Sequence, residues 1–324
     1  MVIAVGPNGA GKTNLLESLH LGTQGFSPRT RRDREVIRFG ERAGRVALEG
    51  ARGASRVESA VTLSVDAAKR ATLNGATLPG AEQLRRELHA LVFTPDRLAV
   101  VKGGPAARRA YFDRVLARLQ PARAPLPAGY AAALAQRNAA LRFSSPEAVE
   151  PWTARIVSLG AELVTARRET MSALGPALAD CAAALGLPDP VLEYEGEPPA
   201  REELDRRFEQ DRRRGHTSLG PHLHDVRLLA GTRDLRAYGS QGEQRLIVLA
   251  LVLAEAELLR QRHGVPPLLL LDDVLSELDS RRRRALADRV AASGQTVVTA
   301  TDAASLPIEP AQLVEVTPGA ARTV

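Results

Sequence analysis

Sulfur, aromatic rings and long apolar stretches are all scarce in this chain of 324 residues. Its one cysteine, Cys181, has no partner for an internal disulfide, which excludes a disulfide-stapled protein. No run of 18 apolar residues occurs, and Met1 opens no charged leader with an apolar segment, so we expect a cytoplasmic protein without a membrane partner. Aromatic residues make up 3% of the chain, which argues against an aromatic platform for single-stranded bases.

Lysine is scarce as well, although basic residues are not. Only three of the 44 basic residues are lysines, at positions 12, 69 and 102. The formal net charge of +6 supports a polyanionic partner only weakly. The excess of arginine over lysine is typical of the base composition of a genome and does not by itself indicate a binding site. Where arginine replaces lysine so widely, a remaining lysine marks a site that needs a compact point charge, and Lys12 is the candidate.

Both ends of the chain have the pattern of an α/β domain. The run at 2–5 is a short buried-strand pattern, followed by a glycine-rich turn and a helix-forming stretch at 13–21. The last third returns to this character, with strand-like runs at 226–229, 268–271 and 296–300. We therefore expect the first and last parts of the chain to build one sheet.

Between these ends the pattern changes twice. From about 45 to 78 it is β-like and turns at Asn74-Gly75, a strong hairpin signal, so we predict an antiparallel lobe. After Phe93 apolar residues recur at helical spacing, which predicts helices separated by proline-rich connectors. We expect Gly175-Pro176 to break or kink the last long helix.

A phosphate-binding loop is predicted directly after the first strand. Residues 6–13 match its pattern of two glycines, four intervening residues, lysine and threonine. Backbone N–H groups of such a loop surround phosphate oxygens, Lys12 reaches the β and γ phosphates of a nucleotide, and the Thr13 hydroxyl binds Mg²⁺. The predicted nucleotide-binding residues are Gly6, Pro7, Asn8, Gly9, Ala10, Gly11, Lys12 and Thr13.

Two carboxylates follow the apolar run at 268–271. A carboxylate at the end of a buried strand is the acidic partner that Mg²⁺ held by Thr13 requires, so Asp272 is a predicted metal ligand together with Thr13. Asp273 is predicted to be catalytic, because it lies nearer the γ-phosphate and can orient or deprotonate the attacking water. The alternative for Asp273 is a helix cap ahead of Val274.

A third polar segment, Ser240-Gln241-Gly242-Glu243-Gln244, precedes a nearly all-apolar helix at 246–259. Ser240 and the Gly242 N–H therefore stand at a helix N-terminus, which is a natural anion site. Taken alone, the segment can equally be only a helix cap.

Together these segments resemble the ABC-type ATPases, with Walker A, signature, Walker B and D-loop in chain order; the D-loop is 276–279. The resemblance implies ATP and Mg²⁺ as cofactors. It also implies that Ser240, Gly242 and Gln244 of one subunit contact the γ-phosphate bound by the other, and that Asp279 belongs to the same nucleotide site. An ATP-dependent homodimer follows from this arrangement.

The spacing of these segments is informative within that class. The interval from Thr13 to Ser240 is too long for a compact transporter ATPase and too short for the coiled coil of an SMC protein. Six blocks are spread along the chain: Gly11-Lys12-Thr13-Asn14-Leu15-Leu16-Glu17, Phe93-Thr94-Pro95-Asp96-Arg97-Leu98, Val101-Lys102-Gly103-Gly104-Pro105 with Arg108-Arg109, Gln136-Arg137-Asn138, Gly220-Pro221-His222 with Asp225, and Ser240-Gln241-Gly242-Glu243-Gln244-Arg245. On these blocks the sequence resembles the RecF family over essentially its whole length.

The resemblance implies an ATP-dependent DNA-binding protein of recombinational repair and replication restart. Such a protein binds duplex DNA next to single-stranded gaps and, with RecR and indirectly RecO, helps RecA to load. Weak, DNA-stimulated ATP hydrolysis then acts as the timer of a dimeric clamp. The implied fold is an α/β ABC-type ATPase head, a mixed sheet with an antiparallel β lobe, plus a helical second lobe. We assign 1–90 and 191–324 to the ATPase lobe and 91–190 to the helical lobe.

The sequence departs from the family at two points. Family members carry further strands ahead of the phosphate loop, whereas this chain starts five residues before Gly6, so we expect either a misplaced start or a truncated copy. The segment 297–302 takes the place of the histidine switch of transporter ATPases but has no histidine. Thr301 is the predicted substitute, catalytic as a sensor of the γ-phosphate.

Arginines 29, 31, 32 and 34 form a basic cluster in a predicted loop and are candidates for contacts to DNA phosphates. Two other functions stay open at this point. One is an ABC ATPase that energises a membrane partner. The other is a truncated DNA scaffold whose binding is indifferent to nucleotide.

Overall fold

Two compact units make up the chain in the computed structural model, which describes residues 1–30, 32–52, 55–276, 278–302 and 310–324. The sheet unit consists of Met1–Arg97, Ala184–Gly186 and Val252–Val324, and the helical unit consists of Leu98–Ala183 and Leu187–Leu251. The strands are β1 (Val2–Val5), β2 (Ala43–Arg52), β3 (Ser55–Ser64), β4 (Arg70–Leu73), β5 (Ala76–Thr77), β6 (Ala90–Phe93), β7 (Pro190–Glu195), β8 (Asp225–Ala230), β9 (Arg233–Asp234), β10 (Leu268–Leu271), β11 (Thr296–Ala300), β12 (Gln312–Thr317) and β13 (Ala320–Thr323). The helices are α1 (Lys12–Gln24), α2 (Leu84–Glu87), α3 (Ala99–Lys102), α4 (Pro105–Leu119), α5 (Leu126–Phe143), α6 (Pro146–Ala184), α7 (Arg201–Arg206), α8 (Phe208–Arg214), α9 (Leu235–Tyr238), α10 (Gln241–His263) and α11 (Ser280–Ala292).

Six strands of the sheet unit form one mixed sheet in the order β13-β12-β1-β11-β10-β6. All neighbours are parallel except β12 and β13. The inner strands β10 and β11 are short and almost wholly buried, as parallel strands covered on both faces require. Because β1 lies between β11 and β12, the prediction that both chain ends build one sheet is confirmed. The segments after β1, β10 and β11 consequently leave from the same edge.

An antiparallel sheet of order β2-β3-β4-β5 completes the sheet unit. Asn74 and Gly75 both have positive φ, 49° and 80°, the backbone of a type I′ hairpin turn between β4 and β5. On one face, Val61 and Leu63 of β3 join Leu21 of α1 in a buried apolar cluster. The predicted antiparallel lobe and its hairpin are therefore confirmed, and the fold has the expected mixed sheet.

The helical unit is built around α4, α5 and the 39-residue helix α6. Helix α6 continues through Pro151 and Pro176, so the predicted break at Gly175-Pro176 does not occur. A proline inside a helix costs about 3 kcal/mol. Leu174, Leu178 and Cys181 remain buried on either side of Pro176, and burying each large apolar side chain contributes about 1.5–3 kcal/mol. Packing of this stripe therefore outweighs the lost backbone hydrogen bond.

The boundaries of the two units differ from the ranges 1–90, 91–190 and 191–324 assigned from sequence. The helical unit begins at Leu98 and extends to Leu251, so most of 191–251 packs with the helices. The reason lies in strand pairing, because β8 pairs with β7 and β9 in a separate three-stranded sheet instead of joining the six-stranded one. A strand pattern identifies β8 but does not reveal its partner.

A buried ion pair ties the helical unit together. Arg137 of α5 and Asp211 of α8 are both 0% exposed, and the guanidinium donates to the Asp211 carboxylate at 3.1 Å. Arg137 also donates to the hydroxyls of Thr153 and Thr217, at 3.0 and 2.7 Å. The other carboxylate oxygen accepts from Ser218 at 2.6 Å. Three helices and the segment after α8 thus share one polar network.

Removing the carboxylate should destabilise this unit strongly. We expect Asp211→Ala to lower the free energy of unfolding by about 3–5 kcal/mol, because Arg137 is left charged, buried and unpaired. Urea unfolding followed by the fluorescence of Trp152, the one tryptophan of the chain, measures the loss. The control is Asp205→Ala, which removes an exposed pair with Arg201 and should cost at most about 1 kcal/mol. Equal losses for the two variants would contradict this role.

Candidate nucleotide-binding site

The loop between β1 and α1 has the backbone that phosphate binding needs. Gly9 and Gly11 have φ of +82° and +104°, a region that residues with a side chain rarely adopt. A Cβ at either position would meet no atom within 4 Å, so backbone conformation alone selects glycine. The Lys12 ammonium donates to the Gly6 and Pro7 carbonyls at 2.6 and 3.0 Å. The predicted residues 6–13 thus form one turn, with an ammonium group and the N-terminus of α1 beside it.

Thr13 and Asp272 meet although 259 positions separate them. The Thr13 hydroxyl donates to Oδ2 of Asp272 at 2.9 Å and lies 3.2 Å from Oδ1. Asp272 directly follows β10, and its N–H donates to the Phe93 carbonyl at 2.9 Å, which extends the pairing of β10 with β6. Two adjacent ligands of an octahedral Mg²⁺, each at about 2.1 Å, lie about 3.0 Å apart. These two side chains therefore fit the ligand geometry of Mg²⁺.

Thr299 is a third member of this cluster, and sequence reasoning missed it. Its buried hydroxyl donates to Oδ1 of Asp272 at 2.7 Å and accepts from the Asp273 N–H at 2.9 Å. The signal was a threonine inside the otherwise apolar end of β11, but only the pairing of β11 with β10 shows what it faces. Thr299 fixes both the carboxylate of Asp272 and the backbone of the residue after it.

Asp273 has a backbone that few non-glycine residues adopt, with φ of 48°. Its side chain is exposed, and within the described part of the chain its carboxylate has no hydrogen-bond partner. No helix begins at Val274, since the next described helix, α11, starts at Ser280. The alternative of a helix cap is therefore not observed, and the exposed carboxylate of Asp273 directly follows Asp272 in the chain.

The segment at 240–244 forms a reciprocal helix cap. The Ser240 hydroxyl accepts from the Glu243 N–H at 3.2 Å, and the Glu243 carboxylate accepts from the Ser240 N–H at 2.8 Å. Arg233 also donates to Glu243, at 2.5 Å. This guanidinium, followed by the Ser240 N–H, lowers the pKa of Glu243 from its ordinary 4.5 to about 2. The capping interpretation of this segment is thus correct, and it leaves Ser240 exposed at the start of α10.

Two other residues of this segment differ in their surroundings. Gln244 is buried and donates to the Leu235 carbonyl at 2.8 Å, so its amide holds α9 against the start of α10. Gly242 is exposed, and a Cβ there would meet only the Ser240 hydroxyl oxygen, at 3.9 Å. Packing within the described chain therefore does not require a glycine at this position.

The remaining predicted residues lie at element ends. Asp279 caps α11, with its carboxylate accepting from the Arg282 N–H at 2.9 Å. Thr301 is exposed, one residue beyond β11, so Thr299 and not Thr301 contacts the carboxylate cluster. Glu277 of the D-loop lies outside the described residues.

The basic cluster of the first loop is partly neutralised. Arg29 donates to Glu17 at 3.0 Å, Arg32 pairs with Glu35 at 3.4 Å, and Arg34 donates to the Val65 carbonyl at 3.0 Å. Arg31 lies outside the described residues. These arginines therefore do not form one uncompensated patch.

Comparison with known proteins identifies the class of protein to which this chain belongs. Residues 1–321 match the family described as RecF/RecN/SMC N terminal domain. A solved structure of the recombination mediator protein RecF with ATP in the RecFOR pathway superposes with a TM-score of 0.86 at 24% identity, covering 100% of this chain and 91% of that one. The Smc head of Pyrococcus yayanosii superposes with a TM-score of 0.56 at 14% identity, covering 100% and 92%. The predicted head fold with a helical second lobe is confirmed.

Relatives by sequence then identify the family within this class. The DNA replication and repair protein RecF of Anaeromyxobacter sp. (strain K) is 40% identical over 93% of this chain and 86% of its own length. The proteins of the same name from Myxococcus xanthus (strain DK1622) and Heliobacterium modesticaldum (strain ATCC 51547 / Ice1) are 38% and 34% identical over 93% and 92% of this chain, covering 84% and 86% of their own lengths. The chain belongs to the RecF family. Among its described residues, no helix combines the length and apolar content that crossing a membrane requires.

The cap at Ser240 gives a testable pH dependence. Because the folded pKa of Glu243 lies below its ordinary value, the cap is complete above about pH 4.5 and is lost as the pH falls toward 2. An NMR titration of the Glu243 carboxyl should give a pKa of about 2, and Arg233→Ala should raise it toward 4.5. Glu243→Gln should make hydrogen exchange in the first turn of α10 insensitive to pH over this range, after correction for intrinsic exchange. A native titration near 4.5 would disprove the cap.

Proposed function

We propose that the chain binds ATP with Mg²⁺ and uses it to close a homodimer on DNA during replication and repair. The contact between Thr13 and Asp272 carries this proposal, because it sets two oxygen ligands 2.9 Å apart beside a phosphate-binding turn. Family membership supports DNA as the partner, since the relatives are named as DNA replication and repair proteins.

Each residue of the site has a distinct role in this proposal. Lys12 and the N–H groups of residues 6–13 bind the phosphates, while Thr13 and Asp272 hold the metal. Bound Mg²⁺ supplies positive charge that neutralises the phosphate oxygens. Asp273 orients the attacking water and accepts its proton, for which an exposed carboxylate that no other described side chain binds is suited. Thr299 holds the two aspartates in register.

A second copy of the chain completes the site. Ser240 and Gly242 are exposed at the N-terminus of α10, a favourable place for phosphate oxygens. Gly242 leaves open space that the described chain itself does not use, which suits close approach of a nucleotide held by the partner subunit. Gln244 positions this segment through Leu235, Asp279 belongs to the same interface, and Thr301 senses the γ-phosphate.

The biological role we propose follows the family. ATP binding closes the clamp on duplex DNA next to a single-stranded gap, and RecR, with RecO, then assists RecA loading. Hydrolysis is weak, is stimulated by DNA, and acts as the timer that reopens the dimer.

The shared site is testable by mixing two inactive variants. Lys12→Ala removes the phosphate contact, and Ser240→Arg blocks the signature segment at 240–244. Each variant alone should therefore lose ATP hydrolysis and ATP-dependent dimerisation. In a mixed dimer, one site combines the intact Lys12 of the second variant with the intact Ser240 of the first. We therefore expect mixing to restore hydrolysis, measured as phosphate release. The control is each variant mixed with itself, and absence of recovery would mean that no site is shared between subunits.

Asp273 gives a separate test of the chemistry. We expect Asp273→Asn to retain ATP binding and dimerisation but to lower the hydrolysis rate about 10²–10⁴-fold, because the amide cannot accept a proton from water. Asp189→Asn is the matched control, since Asp189 has the same φ of 48° but lies in the helical unit. Asp189→Asn should hydrolyse ATP at the native rate. Unchanged hydrolysis by Asp273→Asn would exclude it as the base.

A further inference from the structure

Phe39 stands fully exposed at the tip of a fixed turn in the sheet unit. The turn runs over residues 38–41, with the Glu41 N–H donating to the Arg38 carbonyl at 2.9 Å and Gly40 at φ of +89°. Ile37, one residue before the turn, is buried in the cluster that contains Leu21 and Val61. Because Ile37 anchors the segment, the ring of Phe39 is held out into solvent. The chain has only six phenylalanines. An exposed ring forgoes the favourable free energy that burial of its apolar surface would contribute.

Cations lie in this turn, here called the Phe39 turn, and on the antiparallel sheet that follows it in the chain. Arg38 lies in the turn, and Arg45 and Arg70 follow on the adjoining antiparallel sheet, in one cross-strand row through Thr62. That row faces away from the core, because the neighbouring row through Val61 is the buried one. Within the described residues these three arginines have no carboxylate partner.

Neighbouring acidic groups are largely engaged elsewhere. Asp33 pairs with Lys69 at 3.1 Å, and Asp66 pairs with Arg42 at 2.5 Å. The turn itself contains Glu41, which has no ion-pair partner among the described residues, so Arg38, Arg45 and Arg70 outnumber it three to one. An exposed aromatic ring, together with guanidinium groups that have no carboxylate partner among the described residues, matches the chemistry of a nucleic-acid strand with both phosphates and accessible base faces.

We propose that Phe39 stacks on an unpaired base of single-stranded DNA while Arg38, Arg45 and Arg70 bind the flanking phosphates. Base faces are accessible in a single strand but are covered by stacking in a duplex, so this site selects the single-stranded side of a gap. The inference rests on the proposed DNA-binding function and names the residue that recognises the gap. A single ring is sufficient for this, so the low aromatic content of the chain is no objection.

The test compares DNA forms and uses the protein's own exposed phenylalanines. Fluorescence anisotropy with labelled gapped duplex and with blunt duplex, in ATP and Mg²⁺, measures the two affinities. We expect Phe39→Ala to weaken binding to gapped duplex about 5- to 150-fold and to leave blunt duplex unchanged, because one stacking contact is lost. Phe143→Ala is the matched control, since Phe143 is also exposed and neighbours an arginine, Arg142, but lies in the helical unit.

A second variant reports stacking directly. In a Trp152→Phe background, Phe39→Trp places the one tryptophan on the turn, and we expect it to restore gap affinity and to be quenched by oligo(dT). Phe143→Trp in the same background should not be quenched. If native protein binds gapped duplex and Phe39→Ala binds it equally well, the inference is wrong while the proposed function stands. Loss of dimerisation in Phe39→Ala would instead show that the ring contacts a second copy, which also overturns the inference.

If the native protein binds neither DNA form, the proposed function fails. In that case, quenching of the Phe39→Trp variant by oligo(dT) still decides whether the turn stacks on bases.

Discussion

One hydroxyl–carboxylate cluster, formed by Thr13, Asp272 and Thr299, is the interaction on which the candidate site depends. A carboxylate that is 5% exposed needs hydrogen bonds to its charged form, and each such bond contributes about 1.5–3 kcal/mol. Here two threonine hydroxyls supply them, from the start of α1 and from β11. In the proposed function the Thr13 hydroxyl and the Asp272 carboxylate also bind Mg²⁺, so the fold and the proposed metal site share this contact.

The cluster exists only because of strand order. Parallel strands bring their carboxyl ends to one edge, and β11 lies between β1 and β10. Residues at the carboxyl ends of these strands therefore meet although they are far apart in the sequence. A change in strand order would separate Thr13 from Asp272 even if every local element formed correctly. This explains why the sheet joins the first and last parts of the chain, with the helical unit contributed by the middle.

Most turns and loops followed from local patterns in the sequence, whereas features that depend on strand register or on tertiary packing were missed. The hairpin at Asn74, the loop at 6–13 and the carboxylate of Asp272 all depend on a few neighbouring residues, so their patterns predict them. Thr299 was missed because its role depends on the register of two strands. The partner of β8 was misjudged for the same reason, and the helix break near Pro176 was overruled by tertiary packing.

Buried arginines of the helical unit are paired with aspartates. Arg108 pairs with Asp225 at 2.6 Å and Arg167 with Asp113 at 2.8 Å, and both arginine side chains are 4% exposed. Arg137 is fully buried with Asp211. Several of the blocks that resemble the RecF family in this unit therefore contain residues that hold the unit together. Basic residues there are not by themselves evidence of DNA contact.

In the proposed function, the clustered hydroxyl and carboxylate groups bind Mg²⁺ with ATP and thereby bring two chains together. Light scattering of the unaltered protein after gel filtration, with ATP alone, with ATP and Mg²⁺, and with neither, tests it most directly. We expect a particle of twice the 34.7 kDa chain mass only when ATP and Mg²⁺ are both present. A mass that stays the same under all three conditions would contradict it.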